Sequence, residues 1–288
     1  MGILEDIKQQ YKFGGISQKL IFWNVGLFVF SLIFFYNFQN QFFIYPEWLK
    51  LSSAPGNLLY YPWTLLSYSF FHAGFLHLFF NMMVLNFSSR LFLTFFNERQ
   101  LLGLYLLSSI FAGVVFVVVY FVFPGLSPVV TSVVGASAAI MAILVATATY
   151  APLMSIRLLL IGNVKLWHIA AVIILLDLLQ IRAENTGGHI AHLAGAFFGF
   201  VFVKLLQQGT DLSSGITRII TFFTVVFHPK KTTPFKKVHK NPVRTTVTPG
   251  TGKDIAQKQI DEILDKISQS GYDSLTKQEK EFLFKAGK

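Results

Sequence analysis

Six long, nearly charge-free stretches decide what this chain can become. They run over 20–38, 75–95, 101–123, 133–153, 164–181 and 190–206. A helix needs about 17–25 apolar residues to cross a bilayer, and each stretch falls in that range. The intruding charges are chiefly Arg90, Asp177 and Lys204, and the last can snorkel to the interface. Continuous apolar character argues for helices, because the strands of a membrane barrel would alternate. Composition agrees: 53% of the 288 residues are hydrophobic and 13% charged. Soluble domains carry roughly 25% charged residues. The expected fold class is therefore an all-α integral membrane protein with a six-helix bundle.

Basic residues orient the bundle, since short cytoplasmic loops concentrate Lys and Arg. Lys8, Lys12 and Lys19 precede the first stretch, Arg90 and Arg99 border the loop after the second, and Arg157 and Lys165 follow the fourth. The opposite side offers Lys50 and Arg182. Both termini are expected in the cytoplasm. The net charge of +10 reflects this topology and not nucleic-acid binding. No cysteine is present, which excludes disulfides and thiolate metal sites. The N-terminus shows no small-residue cleavage site after its apolar run, so no removable signal peptide is expected. Met1-Gly2 does not complete a myristoylation signal, because Asp6 stands where Ser or Thr is needed.

The organisation reads as four parts. Residues 1–19 form a cytoplasmic arm and 20–206 the membrane domain. An interfacial segment and a basic linker rich in Pro and Thr fill 207–253, suited to anionic headgroups. Residues 254–288 close the chain as a small cytoplasmic helical hairpin. Ile260, Ile263, Leu264 and Ile267 make a helical stripe, Gly271 breaks it, and Thr276 with Glu279 forms a capping box beside Leu275. The hairpin is a candidate docking element for a cytoplasmic partner. Within the membrane domain, the loop over 39–74 is aromatic (Trp48, Tyr60, Tyr61, Trp63, Tyr68) and fits a structured element at the outer interface.

Polar groups at membrane depth are costly and tend to be functional. Ser137 follows Gly135 and Ala136 near the start of the fourth stretch. His192 stands near the start of the sixth. Parity brings both in from the outer face, as it does His77 and Asn81 in the second. A serine in an apolar helix often bonds only to its own backbone. Here Gly135, Ala136, Ala138 and Ala139 leave room for another backbone. Gly195 and Gly199 give the sixth stretch a matching small face. Close packing would let the His192 imidazole act as general base on the Ser137 hydroxyl. His77 and Asn81, one turn apart, can donate hydrogen bonds to a developing oxyanion. Two other readings stay open at this stage: a metal set of His72, His77 and His192, and a proton relay of a transporter. Against the first, no carboxylate lies close in sequence. Against the second, no internal repeat is visible. No metal or other cofactor is expected. Asp177 and His192 flank a short outer loop, so a triad is an open alternative, but Asp177 reads first as a carboxylate at a helix end that can reach the interface, and His189 as a loop-end residue.

Together Pro62-Trp63-Thr64, His72 with His77 and Asn81, Gly135-Ala136-Ser137 and Ala191-His192-Leu193-Ala194-Gly195 resemble the rhomboid intramembrane serine proteases. The likeness covers roughly 63–203. It implies a dyad of Ser137 and His192, an oxyanion site from His77, Asn81 and the Ser137 N–H, and lateral entry of a substrate helix regulated by the fifth helix. Gly135, Gly195, Met141 and His72 are the supporting residues. Departures are Ala138 where the family has glycine after the serine, Met141 where a tyrosine packs on the histidine, and Thr64 where the first loop carries arginine. The expected function is an intramembrane serine endopeptidase in a bacterial plasma membrane, acting on single-span membrane proteins. An inactive rhomboid-like membrane-helix binder is the alternative.

Overall fold

The computed structural model describes residues 2–127, 129–158, 161–182, 185–227 and 252–286. The basic linker expected before residue 252 lies outside these from residue 228 on. The chain forms two compact units, Met1–Lys230 and Lys231–Lys288, and is mostly helical.

The first unit begins with α1 (Ile3–Phe13) and the apolar α2 (Ile16–Phe34). Two residues of β1 (Tyr36–Asn37) pair with β2 (Phe42–Phe43). The loop that follows is built of β3 (Leu51–Ser52), α3 (Pro55–Tyr60), α4 (Thr64–Ser67) and a 3-10 turn, Tyr68–Phe70. It then bends by 94° into α5 (Phe75–Phe92). Tyrosine hydroxyls buried between elements hold the bend. Tyr68 donates to the Ser109 carbonyl at 2.9 Å, Tyr105 to that of Ser69 at 3.0 Å, and Tyr45 to that of His72 at 2.8 Å. A buried carbonyl without a donor is expensive, so each bond fixes the loop to its neighbour.

α6 (Glu98–Val122) starts at a capping box, in which Asn97 accepts from the Arg99 and Gln100 N–H groups and Gln100 accepts from that of Asn97. It ends before Pro124, which cannot continue a helix. β4 (Ser132–Val133) returns to pair antiparallel with β3, and Gly135 donates its N–H to the Tyr68 carbonyl at 2.9 Å. The first loop thus braces the segment that leads into α7 (Ser137–Tyr150). β5 (Ser155–Leu158) and β6 (Gly162–Lys165) form a ribbon. After it come α8 (Leu166–Gln180), α9 (Thr186–Gln207) and α10 (Ser213–Phe227).

α7 is the centre of the unit. Every residue from Ala138 to Ala148 is buried, which is where a helix apolar on all sides belongs. Leu20, Leu85, Leu104, Ile143 and Phe202 share one core cluster around it. The outward faces of α2 and α8 are apolar, with Phe34, Leu175 and Leu179 exposed.

Among the described residues, three helices are long and apolar enough to cross a membrane: α2, α6 and α9. A fourth qualifies if the bent pair ending in α5 counts as one span. α7, α8 and α10 are apolar but have 14, 15 and 15 residues. At 1.5 Å per residue these are about 21–23 Å long. The stretch 133–153 is therefore not one long helix: its first residues are strand and turn, and helix begins only at Ser137.

The second unit contains α11 (Gly252–Ser270), a 3-10 turn at Tyr272–Ser274 and α12 (Lys277–Ala286). Gly271 has φ +77°, a conformation glycine adopts freely. The Thr276 N–H donates to Glu279 at 2.7 Å and the Glu279 N–H to the Thr276 hydroxyl at 3.4 Å. Ile263 and Leu275 are buried, whereas Leu264 of the expected stripe is exposed.

Candidate active site

Ser137 is the first residue of α7, and His192 stands on the second turn of α9. The two helices touch through their smallest residues. A Cβ on Gly195 would collide with the Ala138 carbonyl oxygen, and one on Gly199 with that of Ala142. Two backbones this close put short side chains within reach of each other. The result is a distance of 2.6 Å between His192 Nε2 and Ser137 Oγ. First-turn N–H groups of a helix lack partners within it, so the start of α7 also presents donors and a positive dipole end at this point.

His77 and Asn81 approach from α5. The Ala73 N–H donates to His77 Nδ1 at 3.3 Å. An accepting Nδ1 leaves the proton of a neutral imidazole on Nε2. That edge of the ring lies against Gly135, whose φ is +140° and where a Cβ would stand 2.9 Å from His77 Cε1 and 3.0 Å from Nε2. Gly135 is thus needed both for its backbone angle and for the space. Asn81 is buried, and one of its amide protons goes to the His77 carbonyl at 2.8 Å. His72 is buried with its ring edge-on to His77, the centroids 5.2 Å apart. Met141, one turn beyond Ser137, lines the same cavity of about 740 Å³ as His77, Asn81, Ser137 and His192. Its apolar walls include Leu76, Phe80 and Leu176.

The family model described as the Rhomboid domain matches residues 60–209. The chain belongs to the rhomboid family. Rhomboids are generally membrane proteases, and with its apolar helices this rhomboid is a multi-pass integral membrane protein. Residues 251–285 match a family of unknown function, DUF6576. No curated protein matches the chain significantly.

Two residues of this rhomboid sit differently from their sequence expectation. Asp177 does not reach an interface: it is only 6% exposed. Its Oδ1 lies 3.0 Å from His192 Nδ1 and 2.7 Å from His189 Nδ1. His189 belongs to the first turn of α9 and not to a loop. Asp177 stands one turn before the end of α8 and His189 one turn into α9, so the two packed helices hold them at the same level. Asp177, His189 and His192 are also the cluster among the described residues whose donor atoms all fall within 4.8 Å. His72, His77 and His192 form no such cluster among them. Two signals for this contact were legible: Asp177 and His192 flank a short loop, and His189 and His192 are three apart and so share one helix face.

Proposed function

We propose that this rhomboid is an intramembrane serine endopeptidase with Ser137 as nucleophile and His192 as general base. The observation that carries the reading is the 2.6 Å approach of His192 Nε2 to Ser137 Oγ at the mouth of an apolar cavity. His192 Nε2 takes the hydroxyl proton while Oγ bonds to the scissile carbonyl carbon. The carbonyl π pair moves to oxygen, where His77 Nε2–H, the second Asn81 N–H and the Ser137 N–H are the donors we assign to the oxyanion. The imidazolium then protonates the leaving amine as the C–N bond breaks. Water, giving its proton to His192, hydrolyses the acyl-enzyme and frees the serine.

The substrates are single-span membrane proteins whose helix must unwind to offer a carbonyl, which favours helix-destabilising residues near the cut. In this reading six spans cross the membrane, with both termini in the cytoplasm of a bacterial cell. Residues 1–19 are the arm, 20–206 the protease domain and 207–253 the interfacial and linker region. Residues 254–288 are a cytoplasmic hairpin that docks a partner. Ahead of the short α7, the non-helical residues that lead into it extend its path across the bilayer. Irregular backbone is tolerated there because Val133, Gly135 and Ala136 are buried in protein.

The test is cleavage of a fluorescent single-span substrate in liposomes by wild type, Ser137→Ala and His192→Ala. Wild type cleaves and neither variant does; cleavage that survives either substitution overturns the reading.

A further inference from the structure

We infer that Asp177 is a positioning residue for His192, so that this rhomboid works with a Ser137–His192–Asp177 relay in place of a bare dyad. The inference rests on the protease reading above. The His192 ring is held at both ends: Nε2 lies 2.6 Å from Ser137 Oγ and Nδ1 lies 3.0 Å from Asp177 Oδ1. A neutral imidazole carries one N–H. With that proton on Nε2, the Nδ1 lone pair would face a carboxylate oxygen at 3.0 Å and repel it. With the proton on Nδ1, the ring donates to Asp177, and Nε2 keeps the lone pair that accepts the serine proton. The carboxylate therefore selects the tautomer the chemistry needs. Once Nε2 is protonated, the imidazolium has an anion against its far side.

A buried carboxylate would not keep one orientation unaided. Here His189 supplies the second restraint, its Nδ1 lying 2.7 Å from the same Oδ1. His189 and His192 thus grip one oxygen from one helix face, while Asp177 comes from α8. The spacing is that of hydrogen bonds: two ligands of a tetrahedral zinc at about 2.1 Å would stand about 3.4 Å apart. The titratable groups facing His192 are Asp177 from α8, His189 from its own helix and His77 from α5. Of these only the carboxylate can accept from an Nδ1–H and remain an anion beside it.

The experiment compares wild type, Asp177→Asn and Asp177→Glu in liposomes with the fluorescent substrate, with Ser137→Ala and His192→Ala as controls. Asp177→Asn keeps the volume and loses the charge. Its kcat falls by about 10²- to 10⁴-fold, the upper end being the loss when a triad carboxylate becomes an amide. KM stays within about twofold of wild type, because Asp177 acts through His192 and not on bound substrate. Asp177→Glu restores the charge and recovers part of kcat. On unsubstituted protein, nitrogen-15 histidine NMR in micelles at pH 8 shows His192 with its proton on Nδ1. This measurement holds even where a variant fails to fold. An Nε2–H tautomer for His192, wild-type kcat in Asp177→Asn, or a loss in Asp177→Asn that falls on KM and not on kcat would each overturn the inference. Cleavage surviving in Ser137→Ala or His192→Ala defeats the protease reading itself; abolition there with an intact Asp177→Asn defeats only the relay.

Discussion

Gly195 of α9 lies flat against the carbonyl of Ala138 in α7, with no room for even one carbon between them. This contact lies one residue from Ser137 and about one turn from His192, and it sets how closely the two side chains can meet. Gly195→Val must push the helices apart. The expected cost is about 1–3 kcal/mol of stability from overpacking, with loss of serine labelling by a fluorophosphonate. A variant that labels at the wild-type rate would show that the close helix approach is not what joins the pair.

His77→Ala and Asn81→Ala each remove a proposed oxyanion donor. Each should lower kcat by about 10²- to 10³-fold, with KM changed far less. Steady-state kinetics in liposomes decides the matter, and near-normal kcat in either variant removes that residue from the oxyanion role.

The bent segment ahead of α5 depends on buried tyrosine hydroxyls. Tyr105→Phe leaves the Ser69 carbonyl without its 3.0 Å donor. A loss of about 1–3 kcal/mol follows from stranding a buried acceptor, read as a lower thermal midpoint in detergent. An unchanged midpoint would mean that water or a rearranged donor satisfies that carbonyl.

The second unit should be sensitive to acid. The Thr276 backbone N–H and then the Lys266 ammonium hold the Glu279 carboxyl at about 2, against an ordinary 4.5. A carboxyl whose folded value is depressed adds stability that is fully present above its unfolded value. That stability disappears as pH falls from about 4.5 towards 2. Amide exchange in α11 and α12 of the full chain, corrected for intrinsic rates, should quicken through this window. Glu279→Gln should flatten the response, and exchange protection constant from pH 5 to pH 2 contradicts the account.

Much of the site was written locally. Ser137 among alanines, His192 ahead of Gly195, and His77 one turn before Asn81 are short-range patterns, and short-range patterns survive in a linear string. The capping box of Thr276 and Glu279 is of the same kind. Helix lengths were less legible. Apolar character continues from Val133 to Leu153, but β4 pairing and the glycine turn at Gly135 delay the helix to Ser137, and hydrophobicity alone cannot mark that boundary.

What the sequence by itself determined is a chain of apolar helices with two polar residues placed to meet, because burial and spacing act on neighbours. Only the tertiary structure decided that Asp177 turns inward to share one oxygen between His189 and His192. That contact depends on how α8 packs against α9. No pattern of residue types along a chain carries the distance between two helices.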